Sequence, residues 1–153
     1  METLIKVRFK FPSKSASDVA QSMLSDDPPI FEEDVPSEYA SIFRAFEFLP
    51  EPDELKKVSN VTLDALYEVG SNGLQQLGEA IEELSSSLEG MKVFMCHTYE
   101  EEIYLSAFLD GTLQAFYNTD AIVESACVKV DYFDDLKWAS KLFSYIDKNN
   151  LKP

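Results

Sequence analysis

The chain has 153 residues, of which 45% are hydrophobic and 12% aromatic, so its composition predicts a packed globular domain and excludes an intrinsically disordered one. Its 28 acidic residues outnumber its 13 lysines and arginines, and the net charge of −15 argues against a surface that binds nucleic acid or an anionic membrane. The first eleven residues alternate apolar and charged side chains, a pattern that predicts neither a signal peptide nor a membrane span.

The first half of the chain predicts two strands and two helices around an acidic loop. Residues 5–11 alternate apolar and charged side chains, as expected for a strand with one buried face. A short helix is predicted over about 15–24, and a second helix with an apolar stripe over about 37–48. The segment 25–35 between them is rich in acid and proline, and proline cannot continue a helix. Alternation returns over 61–69 and predicts the second strand.

The clearest helix lies in the middle of the chain. Leucine and isoleucine recur at spacings of three and four residues between Leu74 and Leu88, which predicts a helix packed on the core. Asn72 is placed to cap the N-terminus of this helix, and Gln75 would complete a capping box. Gly90 suits the left-handed backbone conformation that commonly follows the end of a helix.

After this helix the hydrophobic period changes to two, which predicts strands joined by tight turns. The predicted strands span 92–99, 103–109, 112–117 and 126–132. Glu100-Glu101-Glu102 is predicted to form the first turn. Asp110-Gly111 is predicted to form the second, because both positions of an Asp-Gly pair tolerate positive φ. A last helix is predicted over about 134–148, with Asp134 as its cap.

Taken in chain order, these elements predict an α+β fold of the form β-α-α-β-α-β-β-β-β-α. We expect a mostly antiparallel sheet of about six strands, because strands joined by hairpins pair antiparallel. We expect about four helices, packed on one face of that sheet. No composition shift marks a boundary, so residues 1–153 are predicted to form a single domain.

The negative charge is concentrated in two segments. Residues 26–54 hold ten acidic residues against Arg44, and residues 79–102 hold seven against Lys92. The first segment also carries aromatic residues, and aromatic anchors surrounded by charge are typical of protein recognition surfaces. A basic protein partner is therefore predicted, and its contact surface is predicted to comprise Asp26, Asp27, Phe31, Glu32, Glu33, Asp34, Glu38, Tyr39, Glu100, Glu101 and Glu102.

Side chains suited to catalysis or metal binding form no recognisable motif in the sequence. His97 is the single histidine and follows Cys96, but adjacent side chains on a strand point to opposite faces. A catalytic pair would require His97 to meet Cys127 on a neighbouring strand. The sequence contains no zinc-ligand spacing, no EF-hand loop and no phosphate-binding loop, so no metal or cofactor is predicted.

Two functional hypotheses follow from these patterns. The first is a non-enzymatic inhibitor, such as a bacterial immunity protein or antitoxin that neutralises a basic, nuclease-like toxin. Its predicted location is the cytoplasm, because two cysteines in apolar segments do not form a secreted disulfide framework. The alternative is an enzyme or small-ligand-binding protein with a pocket on the sheet face around His97, Tyr99 and Tyr104.

Overall fold

The computed structural model describes residues 2–25 and 32–153, which form one six-stranded antiparallel sheet and five α-helices. The strands are β1 (Thr3–Lys10), β2 (Glu54–Ser59), β3 (Thr62–Val69), β4 (Lys92–Tyr99), β5 (Glu102–Leu109) and β6 (Thr112–Ala115). The helices are α1 (Lys14–Met23), α2 (Ala40–Phe46), α3 (Gly73–Ser87), α4 (Thr119–Ser125) and α5 (Ala139–Lys148). Short 3-10 turns over Glu32–Asp34 and Ser37–Tyr39 precede α2. The predicted α+β fold with an antiparallel sheet is confirmed.

The first strand of the chain lies at the centre of the sheet, whose strand order is β2-β3-β1-β4-β5-β6. β1 pairs along most of its length with β3 on one side and with β4 on the other. Because alternate side chains of a strand point to opposite faces, Ile5, Val7 and Phe9 share one face, which we name the first face. Arg8 points to the opposite side, which we name the second face.

Helices cover both faces of the sheet. On the first face, α1, α2 and α3 pack over the fully buried Ile5, Val7 and Phe9. On the second face, α4 and α5 pack over Phe94 and Leu105. The expectation that the helices lie on one face is therefore wrong. The apolar side chains on the second face must also be buried by helices. Full burial of each large apolar side chain stabilises the fold by roughly 1.5–3 kcal/mol.

One predicted strand is wrong, and one strand of the structure was not predicted. Residues 126–132, predicted as a strand, form a turn and an irregular segment, and the residues just before them form α4. Val128 and Val130 still pack on the core of the second face, so their alternation reflects burial without strand pairing. β2, which the sequence left in a connecting loop, is an exposed edge strand paired only with β3.

The two hairpin turns of the second half lie where they were predicted, except that Glu102 begins β5 instead of belonging to the first turn. Asp110 and Gly111 have φ values of 53° and 89°, as a two-residue hairpin turn requires. Glu100 and Glu101 have φ values of 49° and 64° and join β4 to β5 in the same way. Gly90 has a φ of 85°, which confirms the predicted left-handed residue after α3.

The predicted caps of two helices are wrong. The side chain of Asn72 makes no capping hydrogen bond within the described part of the chain, and Gln75 bonds instead to Glu79 one turn along α3. Helix α5 begins at Ala139 rather than near Asp134, because Asp135 and Leu136 have positive φ values that a right-handed helix cannot contain.

A buried ion pair joins the centre of the sheet to the last helix on the second face. Arg8 donates to both carboxylate oxygens of Asp64 across β1 and β3, at 2.6 and 2.8 Å. Ser140 of α5 donates to the same carboxylate, and Ser144 of α5 accepts from the Arg8 guanidinium, each at 2.8 Å. Because the Arg8 and Asp64 side chains are only 6% and 0% exposed, these bonds fix how α5 sits on the sheet.

None of the helices in residues 2–25 and 32–153 combines the length and apolar character needed to cross a membrane.

Candidate partner-binding surface

Part of the predicted partner surface lies near the start of α1. Glu33, Asp34 and Glu38 are exposed on the two 3-10 turns. Tyr39 is half-buried, and its hydroxyl lies 3.4 Å from Oγ of Ser13, just beyond the C-terminal end of β1. Of the remaining residues, Glu32 belongs to the first 3-10 turn, whereas Asp26, Asp27 and Phe31 lie outside the described residues.

The other predicted segment lies at the opposite end of the sheet. Glu100, Glu101 and Glu102 are exposed at the hairpin between β4 and β5. Because His97 pairs with Ile5 in the antiparallel register of β1 and β4, this hairpin lies beyond the N-terminal end of β1. A strand of this length spans roughly 23 Å. The structure therefore separates the two predicted segments rather than joining them in one surface.

Acidic residues from other parts of the chain join Glu100 at this end. A cavity of about 430 Å³, which we name the acidic groove, opens between the start of β1, the end of β4 and the segment before α5. Its lining residues are Glu2, Thr3, Leu4, Thr98, Tyr99, Glu100, Tyr132, Asp135 and Leu136. Three of these nine side chains are carboxylates and none is basic, so the groove has a negative electrostatic potential.

The carboxylates at the groove repel one another. A hydrogen bond to Glu2 raises the pKa of Glu68, and the negative charge of Glu2 raises it further. Asp53 and Asp135 add smaller contributions in the same direction. Within the described residues, none of these four carboxylates forms an ion pair with lysine or arginine. Nothing in the described part of the chain therefore relieves the crowding.

Exposed aromatic side chains surround this acidic groove. Tyr99 and Tyr132, which line it, are 48% and 41% exposed, and Phe133 beside them is 95% exposed. The Tyr132 hydroxyl donates to the backbone carbonyl of Glu101 at 2.7 Å. This bond fixes the ring of Tyr132 against the hairpin turn, so the aromatic wall of the groove is held in place before any ligand binds.

His97 and Tyr104, two of the three residues named by the alternative hypothesis, lie next to each other on the first face. Their rings stack with centroids 4.9 Å apart, and Tyr104 donates to Glu102 at 3.0 Å. Burial lowers the pKa of His97, and its Nδ1 is buried without a hydrogen-bond partner among the described residues. The acidic groove is lined by Tyr99, but neither His97 nor Tyr104 contributes to its walls.

His97 does not meet Cys127, as a catalytic pair of the two would require. Cys127 lies in an exposed turn after α4 rather than on a strand next to β4. Cys96 is buried on the second face, where burial raises the pKa of its thiol to about 12 and keeps it protonated. Neither thiol is therefore placed to act with the imidazole of His97.

The partner surface predicted from the sequence did not include Glu2, Tyr132 and Asp135, which line the groove, or Glu68, which lies beside Glu2. Each stands apart from the two acid-dense segments, so local charge density gave no signal for them. Glu68 approaches the start of the chain because it pairs with Leu4 between β3 and β1. Strand pairing of this range is not encoded in any local pattern.

No three acidic, histidine or cysteine residues in the described part of the chain are arranged to hold a metal ion. Comparison of the chain with protein-family models, with curated proteins and with solved structures gives no match.

Proposed function

We propose that the chain binds a basic protein partner through the acidic groove and its exposed aromatic rim. In its most specific form, the proposal is a cytoplasmic inhibitor, such as a bacterial immunity protein or antitoxin that neutralises a basic, nuclease-like toxin. The acidic groove replaces the two-segment surface predicted from the sequence as the proposed contact site. Of the predicted residues, Glu100, Glu101 and Glu102 remain beside it.

The observation that carries the proposal is the crowding of carboxylates without cations around Glu68. An arginine or lysine entering the groove would relieve the repulsion between Glu2, Glu68 and Asp135. Arginine is the better fit, because its guanidinium bonds carboxylates in a bidentate way. Arginine also stacks on aromatic faces, which Tyr99 and Tyr132 supply.

The inhibitor form of the proposal rests on charge substitution. A nuclease needs basic side chains where it holds the phosphates of its substrate. Carboxylates of the acidic groove would bind those basic side chains in place of the substrate's phosphates. The net charge of −15 would also speed association with a basic protein, most strongly at low ionic strength.

Binding of an oligo-arginine peptide, measured by calorimetry at low and high salt, tests the site. The groove variant combines Glu2→Gln, Glu68→Gln and Asp135→Asn. The matched control combines Glu38→Gln, Glu83→Gln and Glu89→Gln, which remove equal charge from exposed positions away from the groove. We expect the groove variant to bind at least about tenfold more weakly than the control.

Equal weakening in the two variants would show that net charge alone attracts the peptide and would overturn the groove as the site. The inhibitor step needs a second measurement. The chain is used to capture proteins from an extract of its source cell at low and high salt, and nuclease activity of the captured fraction is assayed. Capture of proteins that are not basic, or of a nuclease that stays fully active, would contradict the inhibitor.

A further inference from the structure

A second cavity lies on the second face, at the end of the sheet away from the acidic groove. It has a volume of about 220 Å³ and opens between β4, β5, the end of α5 and the segment that follows α5. Its walls include the buried side chains of Phe94, Ala107 and Ile146 and the half-buried side chains of Leu109 and Leu151. A dry apolar cavity of roughly 150 Å³ is large enough to hold benzene, so this cavity can take an apolar group of at least that size.

Ammonium side chains outnumber carboxylate side chains at this cavity, in contrast to the chain as a whole. Lys92 and Lys152 line it, and Asp147 is the one acidic side chain of its lining. Asp147 accepts from Lys10 at 2.5 Å and from Lys92 at 3.2 Å, so one carboxylate already faces two ammonium groups. The lining side chains therefore include two ammonium groups against one carboxylate, in a protein whose net charge is −15.

Hydrogen-bond donors remain free at this cavity. The Lys92 side chain is 50% exposed, and its bond to Asp147 uses only one of the three N–H donors of its ammonium group. Lys152 is exposed and forms no ion pair with residues 2–25 or 32–153. Asn150 adds a polar side chain to the lining.

From the apolar walls and the ammonium groups together, we infer that this cavity binds a small amphipathic carboxylate. The apolar body of such a ligand, a medium-length alkyl chain or a phenyl ring, would lie against Phe94, Ala107 and Ile146. Its carboxylate would accept hydrogen bonds from Lys92 and Lys152. This site lies at the opposite end of the sheet from the acidic groove and does not depend on the function proposed for that groove.

Titration of the intact chain with sodium octanoate, followed by amide NMR, tests the inference. We expect saturable shifts at Ala107, Leu109 and Ile146. The head-group variant Lys92→Gln with Lys152→Gln should bind octanoate about tenfold more weakly, the loss expected for one charge-assisted hydrogen bond. The matched control is Lys56→Gln with Lys57→Gln on the edge strand β2, which should bind octanoate as tightly as the wild type.

Two further measurements distinguish recognition of the carboxylate from nonspecific hydrophobic binding. Octylamine, which has the same apolar body and the opposite charge, should bind at least about tenfold more weakly than octanoate. Ala107→Leu, which fills the cavity, should abolish the shifts while the variant keeps a cooperative thermal transition. The inference is overturned if octylamine binds as well as octanoate, if the head-group variant binds like its control, or if octanoate gives no saturable shifts at these residues.

Discussion

Asp64 and Glu68 lie four residues apart on the same face of β3, and their carboxylates meet opposite environments. Asp64 is fully buried and bonded to Arg8 and Ser140. Glu68 is exposed, and the acidic side chains around it raise its pKa. The difference shows two environments for the acidic side chains of this strongly negative chain. The buried Asp64 is paired with a cation inside the fold, whereas the carboxylates at the end of the sheet crowd together without an ion pair to lysine or arginine among the described residues.

Asp147 extends the paired region toward the other end of the sheet. Burial alone would raise the pKa of Asp147, but hydrogen bonds and charge from Lys10 and Lys92 outweigh burial and lower it. The carboxylates of Asp64 and Asp147 thus hold α5 on the sheet. The groove carboxylates make no such internal contact, which leaves them available to a partner.

Breaking the buried pair should produce the largest effect. Asp64→Leu leaves the Arg8 guanidinium buried without its carboxylate, and we expect the free energy of unfolding to fall by about 3–5 kcal/mol. Urea denaturation measures the change. The double variant Arg8→Met with Asp64→Leu removes both charges and should recover most of the loss. A double variant as unstable as the single one would show that these side chains stabilise α5 by packing rather than by pairing.

Removal of the half-buried carboxylate should have a smaller effect. Asp147→Asn is expected to lower the free energy of unfolding by about 1 kcal/mol at neutral pH, since its partners are partly solvated. The lowered pKa of Asp147 means that its stabilisation is present above the ordinary aspartate pKa of 3.8 and is lost as pH falls through the lowered value. The difference between variant and wild type should therefore shrink in acid. A difference that stays constant down to low pH would contradict the ion-pair account.

Neutralising one of the crowded carboxylates should have the smallest effect on stability, and it should raise stability instead of lowering it. Because the pKa of Glu68 is raised in the fold, the wild type loses stability as pH rises through that value. Glu68→Gln removes this loss, so the variant should melt slightly above the wild type at neutral pH and at the same temperature in acid. Glu83→Gln, at an exposed position on α3, is the matched control. If Glu68→Gln melts below this control at neutral pH, the carboxylates are not in repulsive contact.

Much of the fold could be predicted from the sequence, because an element with one buried face repeats its apolar residues at a regular spacing. The alternation of β1 and the leucine spacing of α3 each record one buried face. β2 could not be found, because its residues are mostly exposed and include the pair Lys56-Lys57. The segment 126–132 was assigned wrongly, because Val128 and Val130 alternate toward the core without a strand partner.

The candidate surface was predictable only in part, because charge density along the chain does not give distance in space. The hairpin Glu100-Glu101-Glu102 belongs to the proposed contact region, and its place in an acid-dense segment of the sequence marked it. Tyr39, from the other acid-dense segment, packs instead near Ser13 at the far end of β1. Glu2 and Asp135 reach the groove through long-range pairing and through the positive-φ turn before α5, which no local pattern revealed.

The central place of β1 sets an order for assembly of the sheet. The hairpin β2–β3 and the meander β4–β5–β6 each join neighbours in the chain and can form locally. β1 precedes both in the chain but completes its pairing only with β3 and β4. One edge of β1 must therefore stay unpaired during synthesis until β3 exists, and the other until β4 exists. Pairing of β1 with both closes the longest loops between strands of the sheet. Loop closure of this kind slows folding, so docking of β1 is the step at which the two halves become one cooperative unit.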